Sequence, residues 1–162
     1  MTVQERVERL EASTQRLLEH IEGLPADVLH GEPGAGEWSA MSTLAHVAEL
    51  LPYWAHEAER IAATPGKAFG RPGDDPRRVG AVEQHGHDSL ETSLPRIRAS
   101  LDEAVTTLRA LPAEAWTSAG QHVTRGTMTI EQLVDAFLVD HIEQHSAQIQ
   151  ATLQALQATR RG

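Results

Sequence analysis

Apolar residues recur at alternating spacings of three and four in four separate stretches, and this pattern restricts the chain to helices packed side by side. The first stripe is Val7, Leu10, Thr14, Leu17, Ile21 and Leu24. The second is Leu44, Val47, Leu51, Trp54, Ala58 and Ile61, with Ser39 placed to cap the helix start. The third runs Leu90, Leu94, Ile97, Leu101, Ala104, Leu108 and Leu111. The fourth carries Ile130, Val134, Leu138, Ile142, Ile149, Leu153 and Leu156, and Thr129 to Gln132 ahead of it has the form of a capping box. Helices are expected near residues 3–24, 39–63, 82–111 and 129–158. Pro52 removes a backbone donor and should bend the second helix near Ala48; Pro95 marks either a kink in the third or the start of its regular part.

The segments between the stripes are rich in breakers. Pro25 to Gly36 reads as a loop, and Pro112 to Met128 as a connection. Thr64 to Gly80 holds three prolines and four glycines in seventeen residues, which makes it a long surface crossover between helices two and three. No alternating strand pattern exceeds four residues, so no sheet is expected. The expected fold is an all-α four-helix bundle, a single domain over residues 1–162.

Charge excludes several classes of partner. With 23 acidic against 14 basic residues the net charge is −9, which disfavours nucleic acid and anionic membrane surfaces. The densest basic run is only Arg77-Arg78, and Lys67 is the sole lysine. No apolar run approaches the ~20 residues that span a bilayer, and the opening MTVQERVERLE has no signal-peptide core. The chain has no cysteine, so disulfides, thiolate ligands and a cysteine nucleophile are all absent. This fits a cytoplasmic location.

Nine histidines are the compositional oddity. His141 and His145, four apart on the last helix, present both imidazoles on one side, about one turn from each other. His145 falls on the seam of Leu138, Ile142 and Ile149, and His46 flanks the apolar stripe of the second helix, from which it could point at the last. Three neutral histidines would hold a divalent cation and leave a coordination position open, as catalytic zinc sites do. Zinc or nickel comes first among ions that accept nitrogen donors, with iron or manganese next. Glu49, one turn from His46, is the candidate general base, and Asp140 and Gln148 are suited to orient the rings. The competing explanation is a set of hydrogen-bonded core histidines. A second cluster, His85-Gly-His87-Asp88, is expected to be a solvated turn, and His20, His30, His56 and His122 to lie on the surface or in loops.

The order and separation of these fragments resemble the DinB-like superfamily, which includes proteins similar to mycothiol-dependent maleylpyruvate isomerase and bacillithiol transferases. The resemblance rests on Trp38-Ser39 opening the second helix, on His46, and on His141-x-x-x-His145-x-x-Gln148 in the fourth. It implies a four-helix bundle of up-down-down-up topology, a divalent metal on His46, His141 and His145, and homodimers. Two functions follow as expectations. One is a metal-dependent enzyme that transfers a low-molecular-weight thiol to a small electrophilic substrate, with hydrolysis the nearest relative of that chemistry. The other is a non-catalytic metal-binding or interaction module. A protein without cysteine must take any thiol as a cosubstrate.

Overall fold

A computed structural model describes all 162 residues. The four stripes become α1 (Val3–Ile21), α3 (Ala40–Ala63), α5 (Leu90–Ala110) and a continuous last helix made of α6 (Ile130–Val134), a π-helical turn (Asp135–Val139) and α7 (Asp140–Arg161). Short helices fill two of the connections: α2 (Ala26–Leu29) and α4 (Pro76–His85). The caps expected from sequence form. Ser39 Oγ accepts from the Ser42 amide at 3.0 Å, and Thr129 and Gln132 make a reciprocal capping box. α3 packs chiefly against α5, and α1 chiefly against α7, around one contiguous apolar core.

Pro52 lies inside α3 and Pro95 inside α5, each helix continuing on both sides of its proline. Other expectations need correction. The third helix was expected to begin near residue 82; instead Pro76–His85 is a separate helix, capped by Asp75, and α5 starts at Leu90 behind Ser89. The connections also contain a small three-stranded sheet where none was expected. β1 (Ala68–Phe69), from the crossover, runs parallel to β2 (Ala119–His122), which pairs antiparallel with β3 (Gly126–Thr129). Its strands are two to four residues long and pin the crossover to the end of the bundle.

The π turn follows from the spacing of the fourth stripe. Ile130, Val134, Leu138 and Ile142 are each four apart and fully buried. At 3.6 residues per turn, a spacing of four overshoots by about 40° each turn. One wider turn absorbs that drift and also buries Phe137 and Val139. It ends two residues before His141. Two ion pairs hold the region against α1: Arg6 forks onto Asp135 at 2.8 and 3.1 Å, and Arg9 onto Glu143 at 2.9 and 2.8 Å.

Gly70 shows how closely the crossover is fitted. Its φ is +85°, and a Cβ there would sit 2.6 Å from the His122 ring. Its amide donates at 2.6 Å to Glu57, a buried carboxylate on α3.

Candidate metal centre

α3 and α7 bring three imidazoles together. Ring centroids of His46 and His145 lie 5.0 Å apart, those of His46 and His141 5.8 Å, and those of His141 and His145 4.6 Å. One nitrogen from each ring lies within 4.8 Å of the others, which is within reach of a single ion. His46 is 2% exposed and His145 8%, and His141 is half-buried.

The rings have no ordinary explanation as core histidines. Both nitrogens of His46 and Nε2 of His145 are buried without a hydrogen-bond partner. Leaving such atoms unmade costs about 1–3 kcal/mol each. Partnerless nitrogens converging on one point are what a set of neutral nitrogen donors needs for a metal, and the group fits that purpose. The Gln148 carbonyl oxygen, 3.0 Å from His145 Nδ1, can only accept, so Nδ1 carries the proton and Nε2 keeps a lone pair.

Electrostatics holds the same protonation state. Burial, then the neighbouring His145 and Arg78, push His46 down to about 3. Burial, His145 and Arg78 push His141 down to about 4. Burial also lowers His145, although the Gln148 hydrogen bond works the other way. All three imidazoles are therefore neutral at pH 7, as ligation requires.

A cleft of about 650 Å³ reaches the cluster at His145 and is lined also by Trp38, Glu37, Arg78, Gln148 and Thr152 among others. The Trp38 ring meets His46 edge-on at 5.4 Å, and the Arg78 guanidinium lies 5.4 Å from the Trp38 centroid. Neither Trp38 as a wall nor Arg78 as a cation was anticipated beyond the fragments that contain them. The only sequence signal for Arg78 was the Arg77-Arg78 pair in an acidic chain.

Two expected roles do not match the structure. Glu49 faces a different cleft, shared with Arg77, His85 and Arg96, and its carboxylate is gripped by both terminal nitrogens of buried Arg71 at 2.5 and 2.6 Å. With both oxygens taken by Arg71 and its side chain in a cleft that none of the three histidines lines, Glu49 braces the crossover. Arg71 also stacks 3.8 Å over Tyr53. Asp140 is exposed, reaches Arg9 at 3.7 Å and lines a separate groove with Arg125 and Asp135; only Gln148 orients a ring.

The remaining histidines sort differently. His87 is exposed, and His85 donates from Nδ1 to Asp88 at 2.9 Å, where Arg96 also binds, so this turn is an ion-paired joint. His20 and His56 are exposed as expected. His122 is not: it is 7% exposed, stacked on Phe137 and Trp54, with its Nδ1 accepting from the Thr124 and Arg125 amides. The sheet carries it inward.

The fold and this site define a helical bundle with three histidines gathered between two of its helices. The DinB superfamily model matches residues 9–149, and the chain belongs to that superfamily. Among solved structures, the chain is similar to YfiT from Bacillus subtilis, described as "a probable metal-dependent hydrolase with an unusual four-helix bundle topology". That likeness has a TM-score of 0.78 and 17% identity, over 95% of this chain and 87% of the other. It is also similar to TT2238, a four-helix bundle protein, with a TM-score of 0.60 and 20% identity, over 97% and 99%. At these identities the likeness concerns the fold. No curated protein matches the sequence significantly. No helix is long and apolar enough to cross a membrane.

Proposed function

We propose that His46, His141 and His145 hold one divalent ion, zinc or nickel first, and that the protein is a metal-dependent enzyme transferring a low-molecular-weight thiol to a small electrophile. The observation that carries this is the convergence of three neutral imidazoles, with partnerless buried nitrogens on His46 and His145, beside a solvent-open cleft that His145 lines. When bound, the ion supplies positive charge that lowers the pKa of a thiol or water entering from the cleft.

The protein's own groups prepare that event. Burial keeps the imidazoles unprotonated, and Gln148 fixes the His145 tautomer. Trp38 covers one side of His46, and the cleft gives a small molecule access to the cluster at His145. The carboxylate expected to serve as base is committed to Arg71, and a thiol, with a pKa of about 8.5, gives up its proton to solvent far more readily than a water does, which favours the thiol reading. Hydrolysis is the second reading, and the likeness to YfiT over nearly the whole chain favours it.

The test starts with elemental analysis of protein purified without chelator. Zinc- or nickel-loaded protein is then assayed for conjugation of small thiols to monochlorobimane and for hydrolysis of p-nitrophenyl esters. Metal-dependent conjugation, lost in His141→Ala, is the expected result. Hydrolysis without conjugation replaces the thiol reading by the second one. Bound metal with neither activity leaves a non-catalytic metal-binding module.

A further inference from the structure

The cleft over the histidines contains one arginine and no lysine. That residue, Arg78 on α4, stands apart from its neighbours on the crossover: Arg71 is paired with Glu49 and Arg77 with Asp75, but Arg78 has no carboxylate within salt-bridge range. Its one hydrogen bond is from a terminal nitrogen to the Gly73 carbonyl at 2.8 Å, which leaves most of its five donors free. The plane of Trp38 lies beneath it and His145 lines the same cleft.

Arg78 is half-buried in the cleft wall beside His145 with no carboxylate to neutralise it, so its positive charge is directed at whatever enters the cleft. In a chain of net charge −9, most of the surface repels anions, so a free local cation selects for them. Glu37, on the same cleft, repels an anion from its own part of the wall and leaves Arg78 as the seat.

We propose that Arg78 anchors a carboxylate, so that the molecule taken up by the histidine site is a small ligand carrying an anionic group alongside its reactive atom. The planar fork of arginine matches a carboxylate in two parallel hydrogen bonds, and the Gly73 carbonyl and the cation–π approach to Trp38 hold the side chain in place before the ligand arrives. For the reactive atom this rests on the reading of the cluster as a metal centre; carboxylate capture by Arg78 does not need the metal.

The probes are 3-mercaptopropionate and 2-mercaptoethanol, similar small thiols with and without the carboxylate. Each is titrated into zinc-loaded and metal-free protein while the Trp38 indole N–H resonance is followed by heteronuclear NMR. Comparing the ratio of the two affinities between wild type and variants cancels intrinsic differences between the thiols. In zinc-loaded wild type that ratio should favour mercaptopropionate by at least tenfold over the ratio in Arg78→Gln, equivalent to about 1.4 kcal/mol. Arg78→Glu should reverse the preference, an outcome that loss of folding cannot imitate. Metal-free wild type should still show a weaker shift with mercaptopropionate that Arg78→Gln abolishes. An unchanged ratio in both variants overturns the proposal. If zinc strengthens neither thiol's binding, the metal reading fails, while the metal-free titration still decides the role of Arg78.

Discussion

Acidification of the metal-free protein between pH 7.5 and 5 should destabilise it strongly, and His46 should carry a full share of the effect. Burial among other imidazoles brings His46 down from 6.5 to about 3. A histidine whose folded pKa is depressed stays neutral in the native state while the unfolded chain takes up a proton. Stability is therefore full above about pH 6.5 and declines as pH falls toward the folded value. From 6.5 to 5 is about 1.5 pH units at about 1.36 kcal/mol each, so His46 alone costs ~2 kcal/mol at pH 5. His141, brought down to about 4, acts in the same direction, and the two losses overlap because each ring raises the cost of charging the other. The window stops at pH 5 because Glu143 and Asp88, held low by their ion pairs, begin to lose stabilisation only at more acid pH. Urea denaturation in EDTA, followed by far-ultraviolet circular dichroism at half-unit steps, gives the slope. Wild type should lose at least ~2 kcal/mol across the window, and His46→Leu should show a shallower slope whatever its absolute stability. A flat profile for wild type, or equal slopes for the two proteins, refutes the picture of three buried neutral imidazoles.

Three further outcomes probe the supports of the site. Glu49→Ala strips the buried Arg71 guanidinium of its close two-pronged partner and leaves only Asp75 at 3.7 Å, so it should cost about 1–3 kcal/mol in urea denaturation yet leave zinc affinity within a factor of two or so, as befits a brace. Gly70→Ala forces an alanine to φ +85° and drives its methyl into the His122 ring; a loss of at least ~1–3 kcal/mol should register as a lower Tm. Gln148→Leu removes the acceptor that fixes the His145 tautomer and should weaken zinc binding about 10–100-fold in competition with a chelating dye, whereas Asp140→Asn should leave it unchanged.

The parts of this structure legible in the sequence are those written by local periodicity. Ser39 and Thr129 sit one residue ahead of their helices because a hydroxyl there satisfies a free backbone amide, and the i, i+4 pair His141/His145 shares a side by helix geometry alone. His46 was legible as a partner because it borders the buried stripe of its helix. What failed depended on contacts distant in sequence. Glu49 lost its expected role to Arg71, twenty-two residues on, in a segment read as plain crossover. Asp140 turned outward to Arg9 on the first helix. The strands Ala119–His122 and Gly126–Thr129 are too short and mixed to alternate, so their pairing, and with it the burial of His122, arises only when the crossover folds back as a third strand. The π turn was implicit in a run of fours but needed the packed interior to make a wider turn favourable over a misaligned stripe.

The most direct test of the metal centre is an anomalous difference map from crystals soaked in zinc chloride, with data collected on both sides of the zinc edge. One peak should lie between α3 and α7, bonded to nitrogens of His46, His141 and His145 at ~2.0–2.1 Å. A peak bound only at His85 and Asp88 or at surface carboxylates, with the three imidazoles left unligated, would contradict it.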